Sequence, residues 1–84
     1  MATSGLSGQE NPQDMSADMM FELGMKYSLG RGVKRDMCEA HKWFNLAAMR
    51  GHERARRYRL EVAEEMDPHQ LHEALARARR WLQR

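Results

Sequence analysis

The sequence predicts an all-α protein: a short αα superhelix of four helices, arranged as two antiparallel αα-hairpins. Three observations support this fold class. Apolar residues recur at helical spacing from Ala17 to Leu82. Residues typical of helix starts and stops interrupt that pattern at short intervals. No stretch of useful length alternates apolar and polar residues as a half-buried strand would. With 84 residues, the chain can form at most one small domain.

The N-terminal stretch, residues 1–14 (MATSGLSGQENPQD), consists mainly of small and polar residues. It cannot bury enough apolar surface to offset the entropy lost on ordering, so we expect a flexible tail followed by one domain over residues 15–84. The stretch lacks the positive charge and the apolar run of a secretory signal peptide. No apolar run approaches the length of a membrane span. We therefore expect a cytoplasmic protein with no membrane partner.

The first helix is expected to begin at Ser16 or Asp14 and to end at Gly30. Serine and aspartate both accept a hydrogen bond from the free N–H groups at a helix start. Glycine suits the left-handed position that follows a helix. The residues at helical spacing between these ends are Ala17, Met20, Phe21, Gly24 and Tyr27.

The stretch YSLGRGVKRD, from Tyr27 to Asp36, carries two glycines one residue apart. It could cradle a phosphate, or it could be a turn between two helices. A dinucleotide fingerprint needs a third glycine where Arg35 stands, and it follows a strand rather than a helix. The G-K-[ST] motif of a P-loop is also absent. We interpret the stretch as a turn in which Gly30 or Gly32 adopts a positive φ, and we expect no nucleotide or other cofactor.

The second helix has the clearest pattern in the chain. Asp36 and Glu39 have the spacing of a capping box, and Gly51 is a stop signal. Between them an apolar stripe runs without a gap through Ala40, Trp43, Phe44, Ala47 and Ala48.

Two further helices are predicted to form the second hairpin. The third runs from about His52 to Met66, with Ala55, Tyr58, Val62 and Met66 facing inward. The fourth begins with Asp67 as N-cap, Pro68 at the first helical position and Gln70 at the third. Its expected inner face is Leu71, Ala74, Leu75, Ala78, Trp81 and Leu82.

The segment FELGMKYSLGRGVKRDMCEAHKWFNLAAMRG resembles the Sel-1-like repeat, a relative of the tetratricopeptide repeat. The resemblance covers residues 17–51 as one full repeat, and a new copy starts about 36 residues later, because Phe21 corresponds to Arg57. That second copy departs from the pattern, since Arg59 and Leu60 stand where Leu-Gly belongs. The matching positions are Leu23, Gly24, Tyr27, Gly30, Gly32, Val33, Asp36, Ala40, Trp43, Ala47, Ala48 and Gly51.

The resemblance implies one full repeat and a C-terminal closing hairpin over residues 52–84, similar to the C-terminal part of a bacterial Sel-1-like repeat protein. It implies a non-catalytic scaffold that binds a protein or peptide, and it implies no catalytic residue. Such arrays usually need at least about three repeats. Having fewer, the chain is expected to associate with another copy of itself or to dock on a longer protein.

The methionines indicate a surface for such a partner. Methionine is adaptable and polarisable, so several exposed methionines form a contact surface that fits varied partners. The first helix also carries apolar residues around more of its circumference than one buried stripe requires. The candidate partner surface is Met19, Met20, Met25 and Met49.

A run of arginines offers an alternative function, that of a small basic nucleic-acid-binding protein using the Arg50–Arg59 face. The formal net charge of the chain is only +2, and charges of both signs are interspersed. Glu53 and Arg57 have the i, i+4 spacing of a helical ion pair. We therefore favour a solvated helix face over a nucleic-acid site.

Metal-binding and catalytic chemistry find little support in the sequence. His69 and His72 have helical i, i+3 spacing, but two ligands do not complete a zinc site. Cys38 is the single cysteine, so the chain can form no internal disulfide. We expect it to be an inert, half-buried thiol in the second helix.

Overall fold

The computed structural model describes residues 15–83, which form four helices and no strand. The helices are α1 (Ala17–Leu29), α2 (Met37–Met49), α3 (Glu53–Glu64) and α4 (Pro68–Leu82). The predicted all-α hairpin fold is confirmed. The predicted N-terminal tail, residues 1–14, lies outside the described residues, as does Arg84.

The central helix is α2, which packs against each of the other three. It runs antiparallel to α1, since the Arg50 side chain at its end donates to the carbonyl of Met15 at the start of α1. It runs parallel to α4, because Cys38 lies near Gln70 and Trp43 contacts Trp81 further along both helices. The second hairpin therefore packs on the first with α4 pointing in the same direction as α2.

The helix starts follow the predicted capping residues. Ser16 accepts from the Met19 N–H at 3.1 Å, which makes it the N-cap of α1 rather than Asp14. At α4, Asp67 accepts from the Gln70 N–H at 2.7 Å, and the Gln70 side chain accepts from the Asp67 N–H at 3.0 Å. This reciprocal capping box satisfies two N–H groups that the helix itself leaves free.

The predicted capping box at α2 forms only half. The Asp36 carboxylate accepts from the Glu39 N–H at 3.1 Å, as expected. The Glu39 side chain does not return to Asp36, because the Asp36 N–H already donates to the Tyr27 carbonyl at 3.0 Å. The Glu39 carboxylate instead accepts from Lys42 at 2.9 Å and from Arg77 of α4 at 3.0 Å, and such charge-assisted hydrogen bonds are stronger than a bond to a neutral N–H.

The turn between α1 and α2 uses both of its glycines in left-handed conformations. Gly30 has φ 69° and Gly32 has φ 76°, which residues with a Cβ rarely adopt. Arg31 donates its N–H to the carbonyl of Lys26 at 2.9 Å, which satisfies an acceptor at the end of α1. The expectation of a positive φ in this turn is confirmed.

The core lies where α1, α3 and α4 meet α2. Phe44 of α2 is fully buried and contacts the rings of Phe21 and Tyr58, at centroid distances of 5.7 and 5.5 Å. Trp43 meets Trp81 edge to face at 5.8 Å. These aromatic contacts join the two hairpins, and aromatic pairs stabilise beyond the area they bury. The core also includes Met20, Ala40, Leu46, Ala47, Ala55, Val62 and Ala78.

Gly24 allows α1 to approach α2 closely. It lies in the middle of α1, and a Cβ at this position would come within 2.5 Å of the Phe44 ring. Gly24 is one of the positions that match the repeat signature. It is required by side-chain packing rather than by backbone conformation, because its φ is not in the left-handed range.

The inner face predicted for α4 is partly wrong. Ala74, Ala78 and Trp81 are buried, but Leu75 and Leu82 are both 42% exposed. Among residues 15–83, α4 packs closely against α2 alone, so the buried side of α4 is narrower than the apolar side predicted from its sequence. Within residues 15–83, no helix has both the length and the apolar character needed to cross a membrane.

Candidate functional site

The face of α1 that points away from α2 forms an apolar groove. Opposite this face, Met20, Phe21 and Gly24 are buried against the rest of the domain. Met19 is 56% exposed. We call this surface the α1 groove; the residues that line it are Met15, Met19, Glu22, Leu23, Lys26 and Arg31.

The structure brings one of the four predicted partner residues, Met19, into the α1 groove. Met20 was predicted both on the inner stripe of α1 and on the partner surface, and it is fully buried, so it does not belong to that surface. Met25 is half-buried against the core. Met49 is exposed, at the far end of α2. Of the four residues, Met19 and Met49 are therefore exposed, and they lie on different helices.

The sequence pattern could have identified the groove residues that the surface prediction omitted. Met19 and Leu23 are four residues apart and so lie on one ridge of α1, and Met15 has the same spacing just before the N-cap Ser16. Leu23 was assigned only a structural role in the repeat signature. In the structure it also packs partly against the core, so a single residue serves both surfaces.

The α1 groove has a covered counterpart in α3. Tyr58 and Arg59 of α3 contact α2: the Tyr58 ring stacks on Phe44, and Arg59 donates to Asn45 at 2.9 Å. Ala55 and Val62 on the same side of α3 are buried. Under the predicted 36-residue repeat, Met19, Glu22, Leu23 and Lys26 correspond to Ala55, Tyr58, Arg59 and Val62. That prediction matches the exposed face of α1 with the face of α3 that α2 covers.

Charged residues border the apolar ridge of the α1 groove. Glu22 and Lys26 have the i, i+4 spacing that permits an ion pair within a helix. In the part of the chain that the structure describes, however, neither makes an ion pair, and both are exposed. Arg31, which also lines the groove, is a second exposed base. The groove therefore combines an apolar ridge with one acid and two bases that remain available to a partner.

The arginine run is largely engaged within the domain. Arg54 lies over the rings of Phe21 and Tyr58, at 5.0 and 6.0 Å from their centroids. Arg59 donates to Asn45, and Arg50 donates to the Met15 carbonyl. Three of the five arginines thus have partners on neighbouring helices, which leaves Arg56 and Arg57 directed outward.

One expected ion pair of this run is absent. Among residues 15–83, Glu53 and Arg57 do not meet, although the i, i+4 pair of Glu73 and Arg77 forms at 3.0 Å. Both Glu53 and Arg57 are exposed, so the attraction between them is offset by their hydration and side-chain entropy. Arg56 and Arg57 are exposed to solvent, whereas the other arginines of the run have aromatic, amide or carbonyl partners within the domain.

A network of ion pairs joins the N-terminal half of α2 to α4. Arg77 pairs with Glu39 at 3.0 Å, Glu73 at 3.0 Å and Asp36 at 3.6 Å. The hydrogen bond from Arg77 lowers the pKa of Glu73, and the carboxylates raise the pKa of Arg77 further above its usual value. These ion pairs connect α4 to the N-terminal part of α2.

His41 is a buried titratable group of α2, and Cys38 is a partly buried thiol on the same helix. His41 is buried, and its pKa is lowered first by the loss of hydration and then by the nearby Arg59 charge. Burial raises the pKa of the Cys38 thiol, and surrounding carboxylates add to this effect. Its thiol is therefore protonated at neutral pH and a poor nucleophile. His69 and His72 are exposed on α4. Residues 15–83 contain no group of three His, Cys, Asp or Glu side chains that could hold a metal ion.

The fold defines a small all-α helical-hairpin protein, and comparison with known proteins adds no closer assignment. No family model matches the chain, and neither a curated protein nor a solved structure matches it significantly. Membership of the Sel-1-like repeat family therefore rests on the motif in residues 17–51 and stays a prediction.

Proposed function

We propose that this chain is a non-catalytic protein-interaction module of the helical-repeat type, which binds a helix of its partner in the α1 groove. The observation that carries this proposal is the equivalence between two faces. The face of α3 that packs on α2 corresponds, 36 residues earlier, to the open face of α1. A helix placed on α1 as α2 is placed on α3 would complete the stack.

The chemistry of the groove favours a helix with an apolar stripe. Met15, Met19 and Leu23 form a ridge that fits between two rows of side chains on a facing helix. Glu22 and Lys26 border this ridge and select a partner with charges of both signs at the edge of its stripe. A nucleic acid would leave the apolar ridge exposed and would bring phosphates next to Glu22.

The nucleic-acid alternative loses support for a second reason. A backbone-binding surface needs several free cations along one face. Arg50, Arg54 and Arg59 are held by a carbonyl, two aromatic rings and an amide of the domain. Two outward arginines, Arg56 and Arg57, make few phosphate contacts, and the affinity would be correspondingly weak.

A cytoplasmic location is part of this proposal. Cys38 is a free thiol, and the domain uses aromatic contacts and ion pairs rather than a disulfide to join its hairpins. Such a construction suits a reducing compartment.

Photo-crosslinking from within the groove tests the proposal. A photoreactive residue replaces Met19 in one full-length variant and Arg56 in a control variant, and both are expressed in the native cell. We expect the Met19 variant to crosslink to a protein segment with apolar residues at helical spacing, located by mass spectrometry. Protein adducts arising mainly from position 56, or nucleic-acid adducts removed by nuclease, would shift the functional surface to the arginine run.

A further inference from the structure

We infer that the helix that covers the α1 groove is α1 of a second copy of this chain, packed antiparallel about a two-fold axis. This inference rests on the function proposed above and names the partner. The order of charge along α1 is self-complementary, because the acid Glu22 precedes the base Lys26 by one helical turn.

The charges of α1 match those of an antiparallel copy. When two identical helices pack about a two-fold axis, residues whose numbers have the same sum lie opposite one another. An axis that passes level with Gly24 sets Glu22 of each copy against Lys26 of the other. Both residues lack an ion-pair partner among residues 15–83 of one chain. Two equivalent ion pairs would then border the contact.

The same axis also brings the apolar residues together. The ridge of Met15, Met19 and Leu23 lies next to the row that contains Glu22 and Lys26, because neighbouring rows on a helix are both spaced by four residues. A two-fold axis returns each row to the same side of the contact, so the charged rows of the two copies face each other. Leu23 lies level with Met25 of the other copy, which is also apolar. In this register Met19 lies level with Leu29 of the other copy, and both residues are more than half exposed in one chain.

A parallel arrangement does not satisfy these charges. In a parallel pair in register, Glu22 would face Glu22 and Lys26 would face Lys26, and like charges at contact distance repel. The order of charge along α1 therefore selects the antiparallel pair. The contact is isologous, so it uses the groove of both copies at once and leaves neither exposed.

Sedimentation equilibrium of full-length charge variants tests this pairing, across a concentration series that reaches about 1 mM. The variants are Glu22→Lys, Lys26→Glu, the double swap that carries both changes, and Arg56→Glu as a control on another face. We expect the wild type to dimerise and each single reversal to weaken the dimer about tenfold, because two ion pairs become two repulsions. The double swap should restore the dissociation constant to within about threefold, and the control should leave it unchanged.

Several results would overturn the inference. A wild type that remains monomeric throughout the series would do so, and so would a double swap that is as weak as the single reversals. A dimer weakened by Arg56→Glu but not by the reversals on α1 would transfer the contact to α3. Crosslinks from position 19 to a different protein, together with a monomeric chain in solution, would leave the proposed function standing and remove this inference alone.

Discussion

Replacing Gly24 by alanine is the sharpest test of how α1 packs on α2. An added Cβ would lie 2.5 Å from Cδ1 and Cε1 of Phe44 and 2.9 Å from its Cζ. These distances are well inside van der Waals contact. The Phe44 ring is fully buried between Phe21 and Tyr58, so it cannot turn aside without moving both neighbours.

Two effects of opposite sign decide the magnitude for Gly24→Ala. Overpacking a core costs about 1–3 kcal/mol. Alanine in a helix interior gains about 1 kcal/mol over glycine. Because the ring is confined, we expect the upper part of the overpacking range and a net loss of about 1–2 kcal/mol in the free energy of unfolding. In a domain of this size, that loss lowers Tm by about 5–15 °C.

A double-mutant cycle separates the two effects. Urea unfolding is measured for the wild type, Gly24→Ala, Phe44→Leu and the double variant. Leucine removes the ring atoms that the Cβ meets, so Gly24→Ala should become neutral, or stabilising by up to about 1 kcal/mol, in that background. If Gly24→Ala is equally destabilising in both backgrounds, the Phe44 ring is not what excludes a side chain here, and the described packing is wrong.

Substitutions at four further positions test the contact between the hairpins, the first turn, a helix cap and the pH dependence of stability. Trp43→Ala should lower the free energy of unfolding by about 3–5 kcal/mol, because it removes the aromatic contact with Trp81. Unchanged thermal unfolding of this variant would contradict that packing. Gly32→Ala should cost about 1 kcal/mol or more because of its φ of 76°, and Gly32→Asn should cost less, since asparagine tolerates this conformation. Asp67→Ala should cost about 1 kcal/mol through loss of the N-cap of α4, with Asp67→Asn close to the wild type in urea unfolding. Burial holds the pKa of His41 below its ordinary 6.5, so the unfolded chain binds a proton more readily, and stability should fall as the pH drops below that value. In His41→Gln this loss between about pH 7.5 and pH 5 should be smaller, and an equal loss would show that His41 does not titrate on unfolding.

The helix boundaries were largely predictable because their causes are local. Ser16, Asp36 and Asp67 each cap a helix through a backbone N–H three residues later, an interaction that depends on a few adjacent residues. The glycines of the first turn needed only the rule that positive φ excludes side chains. The local pattern could not predict that the Glu39 side chain accepts a hydrogen bond from Arg77, because Arg77 is 38 residues away.

The faces of the helices were less predictable, because they depend on which neighbour covers each side. His41 and Leu46 lie off the predicted stripe of α2, yet both are buried, since α2 is covered by three helices. Leu75 and Leu82 lie on the predicted stripe of α4 and are exposed, since α4 has one close neighbour. On α1 the apolar stripe placed Met20 inward with Phe21 and Gly24, and the structure buries all three. The open side of α1, which carries Met19, lies opposite them.

The way this domain is built limits the assemblies that the α1 groove can form. Stacking the groove on α4 of another copy would extend the superhelix and could continue without limit, because the two surfaces differ. The isologous contact instead pairs Lys26 with Glu22 and uses up both grooves, so the proposed association closes at two copies. Sedimentation of the wild type should therefore show monomer and dimer only, and larger species that grow with concentration would point to head-to-tail stacking on α4.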